Sequence, residues 1–353
     1  MGSLKWPKTV EDSFRRKVDD FLSNGWYSLG KYTNDVENMW VGDSERTITV
    51  SSATSGLAVV SLMAFQMHGK KRVVIPEMTV PNVEFGVKYG IINCVKVDVG
   101  TDFVLSAIVA LGLCSIDTVV YVATGGIVGK DFEDFLSICR ERNVFVIGDM
   151  SHAHGCKFKG VPLHKYFDAA VWSFYSTKIL PVGEGGIVWA KDKRDADFIR
   201  KYVNAGKERA SLFFRGNGFN FRLSEIQAVA ISAFIDNSEG IYERRRLVAR
   251  RYLDFGIRSI QSEIPDLYST YYKYPVMLKV GVKADTVYGL AEGKGIKLTG
   301  RVHDANRDSL TGKFNLPYSS IISGSHVCMP LFNDTSEKEI VEASEFIKPF
   351  IQD

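Results

Sequence analysis

Lys178 closes the run Ser173-Phe174-Tyr175-Ser176-Thr177-Lys178 and is followed by Ile-Leu-Pro and then by Gly183-Glu184-Gly185-Gly186. A lysine in so apolar and small-sided a stretch is a candidate for burial. Burial lowers the pKa of an amine and frees it as a nucleophile toward carbonyls; the ordinary alternative is a lysine that snorkels to the surface. Asp149 ends the apolar run Val144-Phe145-Val146-Ile147-Gly148. A carboxylate there needs a partner, such as a cationic ring nitrogen, unless it only caps a helix or a turn. His152 and His154 follow it. A His-x-His pair can bind a metal, but no set of carboxylates or cysteines lies near enough to complete a shell, so no metal site is expected. Ser51-Ser52-Ala53-Thr54-Ser55-Gly56 could cradle an anion with backbone amides and hydroxyls at a helix start, or could simply cap that helix. In Gly218-Phe219-Asn220-Phe221-Arg222, Asn220 and Arg222 could bind a further anion, although a loop leading into a helix is the commoner arrangement.

Elements that could position these residues follow from hydrophobic patterning. Short apolar runs at 48–50, 72–75, 94–97, 118–122, 144–148, 169–172 and 186–189 read as strands. Amphipathic stretches at 56–68, 82–89, 103–111 and 132–142 alternate with them and read as helices. Several runs, 118–122 among them, are continuously apolar, as in a sheet covered on both faces. Such alternation predicts a mostly parallel α/β sheet, with ligands at the carboxyl ends of its strands. Beyond residue 191 the pattern predicts helices at 197–205, 223–234, 242–259, 285–291 and 336–347, and a strand at 271–280. This gives a large α/β domain with its N-terminal arm over 1–235 and a smaller α+β domain over 236–353. The first 45 residues, with Trp26, Tyr27 and Trp40, are expected to pack against the smaller unit.

The order of the signals says more than any one of them. A phosphate cradle, then a strand-end aspartate, then a serine and a lysine, is what pyridoxal 5'-phosphate (PLP) requires. Its phosphate takes amides and hydroxyls, its ring nitrogen a carboxylate, and its aldehyde an amine.

These residues resemble the DegT/DnrJ/StrS family of sugar aminotransferases, which are fold-type-I PLP enzymes. The likeness runs from Gly25-Trp26-Tyr27-Ser28-Leu29-Gly30 to Val327-Cys328-Met329-Pro330-Leu331-Phe332. It implies that Ala53, Thr54 and Ser55 form the phosphate loop, with Ala in place of the usual Gly. Asp149 would pair with the pyridine nitrogen, Ser151 would lie against the ring face, and His152 would face the phenolic oxygen. Ser173 would bind phosphate and Lys178 would form the Schiff base. Asn220 would reach the phosphate of a neighbouring subunit in a homodimer with shared active sites. Tyr27, Ser28, Glu184, Arg222 and His303 are the implied substrate contacts. Two departures stand out: Val80, in Pro76-Glu77-Met78-Thr79-Val80, replaces the usual stacking aromatic, and Thr124-Gly125-Gly126-Ile127 replaces a His-x-x-Gly stretch. The implied reaction carries an amino group, from glutamate as donor, to a keto group of a nucleotide-linked deoxysugar. A cyclitol ketone as acceptor, and a PLP-binding homologue without activity, are the alternatives.

The bulk composition agrees with such an enzyme. The 353 residues are 45% hydrophobic and 24% charged, with a net charge of +3 that argues against nucleic acid or an anionic membrane as partner. The five cysteines are scattered, which argues against a disulfide framework. No signal peptide or spanning helix is evident, so the cytoplasm is the expected location.

Overall fold

The computed structural model describes residues 5–107, 112, 116–208 and 213–351. Its strands are β1 (Thr47–Val50), β2 (Arg72–Pro76), β3 (Asn93–Val97), β4 (Thr118–Val122), β5 (Phe145–Asp149), β6 (Lys157–Phe158), β7 (Val161–Pro162), β8 (Ala169–Ser173), β9 (Gly186–Ala190), β10 (Leu267–Tyr268), β11 (Tyr274–Met277) and β12 (His326–Met329). Seven of them form one sheet in the order β1-β9-β8-β5-β4-β2-β3. The run from β8 to β3 is parallel, and β9 alone runs against both its neighbours. The expected mostly parallel α/β sheet is therefore present.

Alternation explains why both faces are covered. Val73, Ile75, Val120 and Val122 point into one apolar cluster, while Val74, Val119 and Tyr121, their neighbours in sequence, point into the other. Helices α3 (Ala53–His68) and α4 (Pro81–Lys88) supply Leu57, Val60, Met63, Val83 and Val87 to the first. Phe132, Phe135 and Leu136 of the helix Phe132–Glu141, with Val229 and Ile231 of the helix Glu225–Ile235, fill the second. A third cluster is wholly C-terminal. It joins the antiparallel pair β11–β12 to Val248, Tyr252, Val287, Ile340 and Ile347.

Several boundaries differ from those expected, each for a local reason. The arm, α1 (Lys8–Asn24) and α2 (Lys31–Met39), packs on the helix Glu225–Ile235 and the large sheet rather than on the C-terminal unit. Trp6 meets Phe234 edge-on at 5.0 Å and donates to the Pro181 carbonyl at 2.9 Å. The strand expected at 271–280 shortens to β11, because the Arg245 guanidinium takes up the carbonyls of Tyr271 (2.7 Å) and Tyr272 (2.8 Å). The helix expected at 103–111 begins instead as a turn, with Phe103 at φ 73°, and residues 108–111 lie outside the described part. The four described cysteines are free thiols.

Candidate active site

The carboxyl ends of β1, β5 and β8 lie on one edge of the sheet, and the antiparallel β9 begins there. Ser52 caps α3 in a reciprocal capping box with Ser55, while the Ser51 hydroxyl lies 3.1 Å from that of Ser55. Such a cap is worth about 1 kcal/mol. The capping reading of this segment is thus realised, and it leaves a rigid turn of small residues at a helix N-terminus, where an anion is favoured. Thr54 accepts from the Asn82 side chain at 3.4 Å, tying this turn to the start of α4. Gly186 shows why a glycine is needed opposite. A Cβ there would stand 2.6 Å from the Ser52 carbonyl carbon and 2.7 Å from the Ala53 nitrogen. Gly185 has φ 129°, a conformation that disfavours any side chain. Gly185 and Gly186 are therefore backbone requirements of passing β9 under the turn at 51–55.

Lys178 sits in the loop between β8 and β9, which is held at its base by the Ser173–Gly186 pair and by a bridge from Tyr175 to Gly183. Its ammonium makes no hydrogen bond or ion pair among the described residues. Lost hydration pushes its pKa from 10.5 down to about 8, with the nearby Asp149 charge opposing the fall. Asp149 is buried and accepts the Ser151 N–H at 2.9 Å. Ser173 is also buried; its hydroxyl accepts the Tyr175 N–H at 3.3 Å, and its carbonyl accepts from His154 Nε2 at 2.9 Å. His154 thus props the strand end.

Two further imidazoles converge beside the amine. Burial holds His152 well below its ordinary pKa, with the Lys178 charge acting in the same direction. Nδ1 of the neutral ring accepts the Gly125 N–H at 3.3 Å, so Nε2 carries the proton. The glycine pair at 125–126, which departs from the resembled family, therefore serves to orient His152. His303 arrives from the C-terminal part, 2% exposed, with its ring 5.7 Å from that of His152.

Tyr272 is the site residue that sequence reasoning missed. Its ring stacks on His152 at 3.9 Å and 7°, and its centroid lies 5.5 Å from the Lys178 amine. Arg245, buried without a carboxylate partner, clamps the backbone of this tyrosine's loop. No local signal marks Tyr272: it lies far from His152 in sequence, and nothing around it forms a motif.

The remaining candidates lie less centrally. Val80 is half-buried at the start of α4 and packs on the core. Tyr27 and Ser28 are exposed beside Ser224 and Glu225. Glu184 and Asn220 are exposed. Arg222 is half-buried and donates to Asn204 at 3.2 Å. Phe221, between Asn220 and Arg222, accepts the Ser51 N–H at 2.7 Å, which brings their loop against the turn at 51–55.

Comparison with known proteins places the chain among aminotransferases. GDP-perosamine synthase of Escherichia coli O157:H7 is 21% identical over 346 residues, covering 95% of each chain. A putative L-glutamine:3-amino-2,3-dideoxy-scyllo-inosose aminotransferase of Streptoalloteichus tenebrarius is 26% identical over 195 residues, covering 51% of this chain and 47% of that protein. Among solved structures, an aminotransferase from Streptoalloteichus hindustanus superposes with a TM-score of 0.83 at 22% identity, covering 99% and 98% of the two chains. A sequence model of the DegT/DnrJ/EryC1/StrS aminotransferase family matches residues 8–345, and the chain belongs to that family.

Proposed function

We propose that this chain is a PLP-dependent sugar aminotransferase that moves an amino group from glutamate to a keto group of a nucleotide-linked deoxysugar. The observation that carries the reading is the Lys178 amine: without a hydrogen bond or ion pair among the described residues, lowered to about 8, and set beside Asp149 and two neutral imidazoles.

The residues fit the cofactor. An amine without a hydrogen-bonded partner suits an aldehyde, the buried Asp149 carboxylate suits a cationic ring nitrogen, and the small-residue turn 51–55 with Ser173 suits a phosphate. His152 Nε2–H is a donor for a phenolate oxygen, and Ser151 lies close to Asp149. When bound, PLP supplies an electron sink for the donor's α-carbon. The chain's own part is to hold and move protons. Lys178 takes a proton from the donor carbon and returns one as general base and acid, and its pKa of about 8 keeps both forms accessible near neutral pH. Asp149 keeps the ring nitrogen protonated. With Val80 too small to stack, one face of the ring would be left to aliphatic contact.

The active form we propose is a homodimer in which Asn220 and Arg222 serve the partner's site. Phe213 and Phe214, on the loop preceding them, are 75% and 70% exposed, a patch suited to burial against another chain. A cyclitol ketone as acceptor is the second reading, supported by the likeness to the scyllo-inosose aminotransferase.

The test is to load the protein with the pyridoxamine form and offer a panel of nucleotide-linked ketosugars and cyclitol ketones. The substrate that restores PLP absorbance identifies the acceptor. Protein that shows no absorbance from a Schiff base with its lysine, even after added PLP, would favour the non-catalytic homologue.

A further inference from the structure

His303 is held by groups that leave its outer nitrogen nothing to do. Its Nδ1 lies 3.3 Å from Oδ2 of Asp308. That carboxylate is surrounded by donors: Arg307 Nε reaches Oδ1 at 2.8 Å, Arg307 Nη2 reaches Oδ2 at 3.0 Å, and the Asp304 N–H reaches Oδ2 at 2.8 Å. Asp308 is only 4% exposed and is held well below the usual carboxylate range, so it is ionised and can only accept. Nδ1 of His303 must then be the donor. Burial keeps the ring neutral, so Nε2 bears a lone pair. This nitrogen is buried and has no hydrogen-bond partner. Most buried polar atoms are paired, and this open acceptor belongs to the cluster around the Lys178 amine, where a ligand's donor could complete it. His152, 5.7 Å away ring to ring, has the opposite polarity, with its proton on Nε2.

We propose that Asp308 is a positioning residue that locks His303 with its proton on Nδ1, so that Nε2 accepts a hydrogen bond from a hydroxyl next to the carbonyl of the ketone substrate. The inference rests on the reading of this site as one that aminates a ketone, and it deepens that reading into a requirement on the substrate. A group that completes Nε2 has to carry a hydrogen. The carboxylates of an amino-acid donor carry none at neutral pH and would meet a lone pair, and its one hydrogen-bearing group is the amine that has to react. His303 therefore serves the ketone half of the exchange and not the donor half, and the preferred acceptor keeps its neighbouring hydroxyl.

Two measurements test this. In protein labelled with 15N-histidine, NMR should show His303 protonated at Nδ1 and bare at Nε2, and Asp308→Asn should shift the ring toward the other tautomer. A wild-type His303 protonated at Nε2, or an unchanged tautomer in the variant, overturns the lock. Separately, the two half-reactions are followed by cofactor absorbance, using a pair of nucleotide-linked ketosugars that differ only in the hydroxyl beside the carbonyl. His303→Phe should lower kcat/KM for the hydroxylated sugar by roughly ten- to a hundredfold, chiefly through KM, and should erase the preference over its deoxy analogue. The half-reaction with glutamate should fall by a much smaller factor. Equal loss in both halves, or a surviving preference for the hydroxyl, overturns the assignment. If the wild type aminates no ketone, the functional reading fails and takes the hydroxyl with it, while the NMR result still decides the tautomer lock.

Discussion

Glu225 and Lys178 are both ionisable groups set into the protein, and the two regions around them treat charge in opposite ways. Glu225, 1% exposed at the start of its helix, accepts from the backbone of Gly30 (3.1 Å), Tyr32 (2.5 Å) and Thr33 (3.3 Å) and from the Thr33 hydroxyl. It thereby caps α2 and fastens the arm to the helix Glu225–Ile235. Glu37 does likewise, accepting from Thr49 and from Arg200 at 2.7 Å. At the sheet edge, by contrast, the Lys178 amine makes no hydrogen bond or ion pair among the described residues and meets only the Tyr272 ring, at 5.5 Å, and His303 Nε2 has no hydrogen-bond partner. Buried polar groups are ordinarily paired, because leaving one bare costs about 1–3 kcal/mol. A region that satisfies every charge is built to stay as it is, whereas one that leaves donors and acceptors open is built for something else to arrive.

The comparison can be broken by substitution. Lys178→Ala should lower transamination by roughly 10³-fold or more, as expected for loss of a group that both binds the cofactor and moves protons. Its melting temperature should change little, since the half-buried amine makes no hydrogen bond or ion pair for the variant to lose; a folded variant with near-normal turnover would sink the role assigned to Lys178. Glu225→Ala should do the reverse. It strands several buried N–H groups and should destabilise the fold by about 3 kcal/mol, read by chemical denaturation, and a loss below about 1 kcal/mol would show that the arm is held by packing instead.

Asp149→Asn should reduce turnover by roughly a hundredfold with PLP still bound. The same variant sharpens the electrostatic reading. Asp149 holds the Lys178 pKa up, so removing its charge should move the pH midpoint of amine labelling in the cofactor-free protein below the wild-type value of about 8. In the wild type, labelling of Lys178 should rise through about pH 8, well before ordinary lysines near 10.5, because the reactive neutral amine accumulates above the lowered pKa. A midpoint near 10.5 would mean that the amine is solvated. Tyr272→Ala, the mildest change, should cost about 1 kcal/mol of stacking on His152, detectable as a small drop in melting temperature.

Both regions differ too in how openly the sequence displays them. The strands of the large sheet were legible because they are continuously apolar: Thr118–Val122 is buried at every residue. The Lys178 loop was legible because its chemistry and its glycine punctuation are local in sequence. Tyr272 was not, since it acts on a histidine far away in sequence, and Asp308 was not, since a carboxylate five residues after a histidine forms no motif. The shortened β11 was hidden as well, because the carbonyls of Tyr271 and Tyr272 go to Arg245, which reads in sequence as one more charge on a charged helix.

The reversal of β9 has a mechanical result. Because that strand returns from the edge at which β8 ends, the segment bearing Lys178 is clamped into the sheet on both sides, like a handle riveted at two points. Its main chain has nowhere to drift. Any travel the amine makes between one bonding partner and the next has to come from its four methylenes, a swinging limb on an immobile shoulder.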